Sequence, residues 1–301
     1  MVSNTLVPAV RQSFAWHEDR IPVRGCRFSL DSIKEFAKDI LAINMKMGEQ
    51  VIGSLECDED LTDEEWDMRK EKLKNDAFCL TITVNGFNDR KLYSETVDVF
   101  DDPELPKPIR SIYFTNINSF RRNANEVLPK NRVEVFLDFG KPDLLDPSPL
   151  LSEATPNVSN VKIHAEDITF FNAVQHSVQK KLNSRKAWYG SLHRNFAYDL
   201  GLWFLAAPTA LYFSTYYMDQ LIPVGDKLEV FRWPLFIYFM GLCLILYRVL
   251  NSYAKWAFPV NSLDENQDRA LRHRVALGGF GSWLVYSLGS TVYDIIVSAS
   301  S

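Results

Sequence analysis

Two long apolar stretches dominate the hydropathy pattern in the second half of the chain. Leu200–Met218 contains no charged residue and lies within a predicted span from Phe196 to Ile222. Leu235–Tyr247 is apolar and aromatic apart from one glycine, and lies within a predicted span from Trp233 to Leu250. A helix needs about 20 apolar residues to cross a bilayer core. The pattern therefore predicts a transmembrane helical hairpin.

The residues around these stretches also fit a membrane. Pro208 lies in the middle of the first span, and we expect a helix kink there because proline removes one backbone hydrogen bond. Aromatic and basic side chains flank both spans, as is typical of residues that anchor helices among lipid headgroups. The predicted interfacial anchors are Lys186, Trp188, Tyr189, Arg194, Trp233, Arg248 and Trp256. The alternative is a pair of buried helices in the core of a large soluble domain.

A third apolar segment, Val275–Val297, is ambiguous. It has one charged residue, Asp294, but it also contains four glycines. Both a third span and a helix lying in the membrane interface fit this composition. In a helix, Gly278, Ser282 and Gly289 would share one face, and small residues at such spacing let helices approach closely in lipid. We therefore predict helix packing through this face and a homo-oligomer.

The distribution of charge predicts how the hairpin is oriented. Basic residues precede the first span and follow the second, whereas the connecting turn, Asp219–Arg232, has its basic residues offset by acidic ones. The positive-inside rule then places the N-terminal part and the segment Asn261–Arg274 in the cytoplasm. The predicted location is a membrane, as a multi-pass protein, and most simply a bacterial inner membrane.

The first half of the chain predicts a soluble α+β domain. Apolar residues at helical spacing predict a helix over Ser29–Met47, with Ser29 or Asp31 as its N-cap. Thr62 and Glu65 form a capping box that begins a charged helix. Alternating apolar residues predict five strands, which we expect to form a mostly antiparallel sheet, at Leu80–Val84, Lys91–Phe100, Ser111–Asn118, Arg132–Phe139 and Val158–Ala165.

A further helix is predicted from Asp167 to Leu182, and it leads into the first span. The predicted organisation has three parts. Residues 1–190 form a cytoplasmic α+β domain with flanking helices, and residues 191–260 form an all-α transmembrane hairpin. Residues 261–301 form a short cytoplasmic helix and then the third hydrophobic helix. We expect the helix that ends at Leu182 to be mechanically coupled to the first span.

Charge and motifs restrict the function. Residues 1–178 carry 30 acidic and 21 basic residues, a net charge of −9, which argues against nucleic acid as a partner. The four cysteines form no CxxC pair, and no two histidines are three or four positions apart. No GxSxG, GxGxxG or phosphate-loop motif is present. The sequence therefore predicts no metal, no cofactor and no recognisable catalytic residue.

Three functional hypotheses follow. In the first, the protein is a sensor or effector whose cytoplasmic domain binds a protein or small ligand and controls the assembly or activity of its membrane helices, including membrane disruption. This layout is similar to that of many bacterial sensor–effector membrane proteins. In the second, the protein is a membrane-anchored enzyme with a carboxylate-based site. In the third, it is a passive membrane scaffold.

Overall fold

A computed structural model of the protein describes residues 16–55, 62–144, 154–225, 227–266 and 270–300. Its N-terminal part is an α+β domain built on a six-stranded antiparallel sheet. The strands of this sheet are β1 His17–Pro22, β3 Thr81–Gly86, β4 Lys91–Ser94, β5 Ile109–Thr115, β6 Arg132–Asp138 and β7 Asn160–Ala165. They follow the order β1-β7-β6-β5-β3-β4 across the sheet. Two further strands among the described residues, β2 Cys26–Phe28 and β8 Asn261–Leu263, pair with each other in parallel.

Four helices accompany the sheet: α1 Leu30–Gly53, α2 Asp63–Ala77, α3 Ile117–Asn123 and α4 Ile168–Ser184. The apolar face of α1 is buried with one face of the sheet, and Phe36 of α1 contacts Phe114 of β5 edge to face, with ring centroids 5.6 Å apart. Alternate residues of β6 are fully buried, as its sequence alternation predicts. Val174 and Val178 of α4 complete the same core.

The predicted α+β class is confirmed, and most of its elements lie where the sequence placed them. Ser29 caps α1, and Thr62 with Glu65 forms the capping box of α2. The return strand predicted over Lys91–Phe100 is shorter, because β4 ends at Ser94 and a 3-10 helix covers Val97–Asp101. The strands β1, β2 and β8 and the short helix α3 were not predicted.

The C-terminal part of the chain is helical. Residues 195–221 comprise α5 Asn195–Gly201, a π-helical turn Leu202–Ala206 and α6 Ala207–Leu221. They are followed by α7 Arg232–Ala257 and α8 Ala270–Ser300. Among the described residues, one helical run is long and apolar enough to cross a bilayer; it covers Glu229–Ala257 and consists of a 3-10 turn, Glu229–Phe231, followed by α7. The most apolar 18 residues of this run are not buried within the protein. The number of spans stays a prediction.

The segment after the second predicted span differs from the expectation of a short helix. Residues 261–263 form the strand β8, which pairs with β2 of the α+β domain, and one helix covers Ala270–Ser300. The chain therefore returns to the α+β domain between α7 and α8. This strand was not predicted because it pairs with residues more than 230 positions away, and such a pairing leaves no periodic signal in the local sequence.

We predict that Ile112→Ala destabilises the α+β domain by about 2–5 kcal/mol, because Ile112 is fully buried on the central strand β5 and the truncation leaves a cavity. The measurement is urea unfolding of the full chain in detergent, followed by near-ultraviolet circular dichroism. Met68→Ala is the matched control, since Met68 is 65% exposed and its change should stay within about 0.5 kcal/mol. Equal effects of the two substitutions would refute the assigned core.

Candidate junction between the domain and the helices

The chain that leads from α4 into the helical region runs along β2. This lead-in segment, residues 185–193, forms an antiparallel bridge between Lys186 and Cys26. The Arg27 amide donates a hydrogen bond to the Arg185 carbonyl at 2.9 Å, and the Ala187 amide donates to the Gly25 carbonyl at 2.6 Å. One edge of β2 is thus occupied by the segment that precedes the first predicted span.

The other edge of β2 is occupied by the chain that leaves α7. This return segment, residues 258–266, contains β8. The Gly25 amide donates to the Val260 carbonyl at 2.9 Å, and the Asn261 side chain accepts from the Cys26 amide and donates to the Val23 carbonyl. Both chain connections of the helical hairpin therefore attach to the same short strand. We call β2, the lead-in segment and the return segment together the junction.

Two glycines allow the close approach at the junction. Gly25 has a φ of +66°, which favours glycine, and a Cβ atom there would lie 2.8 Å from the Cα of Gly190. Gly190 in turn faces the Gly25 backbone across the same contact. A side chain at Gly25 would force the lead-in segment away from β2.

The His193 side chain connects the end of the lead-in segment to the return segment and to Thr155 of the α+β domain. The side chain is 4% exposed, and its Nε2 lies 2.6 Å from the Phe258 carbonyl oxygen while its Nδ1 lies 2.9 Å from Thr155 Oγ1. A carbonyl can only accept, so Nε2 carries the proton and Nδ1 accepts from the Thr155 hydroxyl. Burial lowers the pKa of His193, and the positive charge of Lys255 acts in the same sense. His193 is therefore a neutral link between the lead-in segment, the return segment and the α+β domain.

Aromatic side chains cover the junction. Phe258 contacts Trp188 and Tyr189, with ring centroids 5.7 and 5.2 Å apart. The Arg274 guanidinium lies over the Phe258 ring, and Arg274 Nε donates to the Ala257 carbonyl at 2.8 Å. The first turns of α8 are thereby held against the end of α7.

Buried Cys26 lies inside the junction. Burial raises the pKa of its thiol to about 11, against the opposing effect of the positive Lys186 nearby. The thiol is therefore neutral near pH 7 and behaves as a small apolar side chain. Cys26, Cys79 and Cys243 are free thiols.

The structure separates the predicted interfacial anchors into exposed, buried and half-buried side chains. Trp188 is 83% exposed, and Lys186, Arg194 and Trp233 are also exposed. Tyr189 is buried, and its hydroxyl lies 3.2 Å from Ser262 Oγ, so it contacts the return segment. The other two anchors are half-buried: Trp256 stacks on Tyr253 and lies beneath Lys141, and Arg248 lies on α7.

The remaining predicted site residues lie in the helices. Pro208 follows directly on the π-helical turn, in which the Ala207 amide donates to the Leu202 carbonyl five residues earlier. Gly278, Ser282 and Gly289 are exposed on α8, and a Cβ built on either glycine meets no other element within 4 Å in the described part of the chain. Packing of a second helix on this face stays a prediction.

A cleft of about 730 Å³ opens beside the junction. One wall is the return segment, and the opposite wall comes from the loops at one end of the β3, β5 and β6 strands. The described residues that line it are Phe87, Lys107, Pro108, Phe139, Lys141, Pro259, Ser262, Leu263, Glu265 and Asn266. Sequence reasoning missed this cleft, because its walls come from the return segment and three separate loops, and none of these four segments carries a binding motif.

The described part of the chain contains no group of three or more His, Cys, Asp and Glu side chains that could hold a metal ion. Comparison of the sequence and fold with protein families, curated proteins and solved structures found no match. The geometry itself shows hydrogen bonds from β2 to both chain connections of the helical region, and a cleft beside them.

We predict that Gly25→Ala lowers the free energy of unfolding by at least about 1–2 kcal/mol, because alanine is disfavoured at positive φ and its Cβ would contact Gly190. The measurement is the thermal transition of the full chain in detergent. Gly53→Ala is the control, since Gly53 ends α1 and a Cβ there meets open space. A stabilised or unchanged Gly25→Ala protein would contradict the described contact.

We predict that His193 makes the junction less stable at acidic pH. Because its pKa is lowered in the folded protein, the unfolded chain binds the proton more readily. The contribution of His193 is complete above the ordinary histidine pKa of about 6.5 and is lost as the pH falls toward the lower folded value. His193→Gln should therefore flatten the fall in unfolding free energy between about pH 7 and 5.

The control for His193 is His176→Gln, at an exposed position on α4. Its unfolding free energy should follow that of the wild-type protein at every pH. If His193→Gln retains the full wild-type pH dependence, the buried neutral histidine does not contribute as described.

Proposed function

We propose that the protein is a membrane-anchored sensor or effector, in which the α+β domain controls the helical region through the junction. A ligand or partner bound by the α+β domain shifts the lead-in and return segments, and the helices respond by assembling or by permeabilising the membrane. The α+β domain faces the cytoplasm, and the helices associate as a homo-oligomer.

Apolar surface supports the membrane part of this proposal. Trp233, Ile237, Ile245 and Leu246 of α7 are well exposed, as are Trp203 and Phe204 in the preceding helical run. Contiguous apolar surface of this extent is costly in water and marks a membrane or protein contact. Residues 195–221 are helical throughout, which corresponds to roughly 40 Å at 1.5 Å per residue. Two antiparallel helices of this length could cross the bilayer as a hairpin.

The connection on both edges of β2 supports the control part. A tether to the membrane needs one covalent connection, whereas here the chain returns after α7 and is hydrogen-bonded beside the segment that precedes α5. A change at β2 therefore reaches both ends of the hairpin at once. This double attachment is the single observation on which the proposed control rests.

Membrane insertion is tested by alkaline carbonate extraction of membranes from cells that express the full chain. We expect the protein to remain in the membrane pellet and to enter the supernatant only with detergent. A full-length chain that is soluble and compact without detergent would refute the proposal, and α6 and α7 would then be core helices of a soluble assembly.

Control through the junction is tested with Asn261→Ala in proteoliposomes that contain a self-quenched dye. The substitution removes two buried hydrogen bonds to the β2 region, a loss of about 1–3 kcal/mol. Since 1.4 kcal/mol corresponds to a factor of ten in an equilibrium, we expect dye release to rise at least several-fold over the wild-type rate. Asn183→Ala, at an exposed position near the end of α4, should leave the rate unchanged.

The same assay separates the proposal from a passive scaffold. Gly278→Leu with Ser282→Leu should abolish the dye release of the Asn261→Ala protein if helices pack through this face of α8, while membrane insertion persists. Equal dye release from wild-type, Asn261→Ala and Asn183→Ala proteoliposomes, including none from all three, would refute the effector function and favour a scaffold.

A further inference from the structure

The cleft beside the junction has the size and composition of a small-molecule site. Its volume of about 730 Å³ falls within the roughly 300–1,000 Å³ that is usual for ligand pockets. Five of its ten described lining residues are apolar, and Phe87, at 48% exposure, presents part of its ring to solvent. Such walls favour the apolar or aromatic body of an organic molecule.

Several polar groups of the cleft already hold its walls together. Asn266 donates to the Ile109 carbonyl at 2.7 Å and accepts from the Ile109 amide at 2.8 Å. Glu265 Oε1 accepts from the Leu30 amide at 2.7 Å, and Ser262 contacts the Tyr189 hydroxyl. These bonds fix the return segment against the α+β domain, and the Leu30 amide occupies one oxygen of Glu265, the one carboxylate among the described lining residues.

Two lysines supply the positive charge of the cleft. The pairing of Ser111 with Asp138, and the hydrogen bond from the Phe139 amide to the Arg110 carbonyl, place the start of β5 beside the end of β6. Lys107 precedes β5 and Lys141 follows β6, so both lie at the same end of the sheet. Lys141 Nζ also lies 4.7 Å from the centre of the Trp256 ring, which links this end of the sheet to α7.

We propose that the cleft binds a small organophosphate. The phosphate lies between the Lys107 and Lys141 ammonium groups, and the apolar or ring-bearing body packs against Phe87, Pro108 and Pro259. A phosphate dianion matches two lysine point charges, and Lys107 and Lys141 are the two cations among the described residues that line the cleft. This inference rests on the proposed function and names the ligand class that its sensor domain would take.

The position of the cleft gives the ligand a direct route to the helices. Pro259 and Ser262 belong to the return segment, which continues from α7 and carries the hydrogen bonds to β2. A ligand that binds more tightly to one arrangement of this segment shifts the equilibrium toward that arrangement. The same chemistry could be supplied by a soluble nucleotide-like metabolite or by a phospholipid headgroup, because Trp256 places the cleft near the predicted membrane surface.

The experiment is isothermal titration calorimetry on the full chain in detergent, with adenosine 5′-monophosphate, adenosine, inorganic phosphate and dihexanoyl phosphatidylglycerol as probes. We expect either the nucleotide or the short-chain lipid to bind at least tenfold more tightly than adenosine and inorganic phosphate, with an affinity that falls as salt is raised. Tighter binding of the nucleotide indicates a soluble metabolite, and tighter binding of the lipid indicates a headgroup.

Matched variants locate the binding. Lys107→Ala and Lys141→Ala should each weaken the tighter probe about tenfold, whereas Lys72→Ala, at an exposed position on α2, should not change it. Absence of binding by both organophosphates, or equal affinity in the wild-type and Lys107→Ala/Lys141→Ala proteins, would overturn the site. Binding that leaves dye release from proteoliposomes unchanged would instead overturn the sensor function and leave the site intact.

Discussion

The hydrogen bonding of β2 on both of its edges is the constraint on which the arrangement of this protein depends. A strand of three residues has few contacts of its own, and it is kept in place by the lead-in segment on one side and β8 on the other. Gly25 permits the close approach, Asn261 supplies side-chain hydrogen bonds, and buried His193 joins the two outer segments. Loss of the Asn261 or His193 side chain would leave the backbone groups that it binds without that hydrogen-bond partner, which is costly for buried groups.

This constraint relates the acidic α+β domain to the apolar helices. In the core of the domain, α1 and α4 pack apolar side chains against the sheet, and Leu263 of the return segment belongs to the same core. The helices have the opposite character, because the apolar residues of α7 remain exposed. The junction is the place where these two parts share hydrogen bonds, and the return segment that follows α7 also forms one wall of the neighbouring cleft.

The sequence predicts elements whose cause is local. Apolar spacing and the Ser29 cap predict α1, and strict alternation predicts β6 with its buried face. It does not predict β2 and β8, because each has three residues and their pairing depends on the whole intervening chain being folded. The cleft is also not predicted, because the segments that line it are far apart in the sequence and meet only in the folded chain. Sequence pattern also cannot distinguish exposed Trp188 from its neighbour Tyr189, which is buried against the return segment.

The most direct test of this account is hydrogen–deuterium exchange at the Arg27 and Ala187 amides, compared between the wild-type and Asn261→Ala proteins in lipid vesicles. These amides bond across the edge of β2 that faces away from Asn261. If β2 couples both ends of the helical hairpin, loosening the return segment should speed exchange at both amides by about tenfold or more. Faster exchange confined to residues 258–266 would show that the two edges of β2 are independent and would contradict the account.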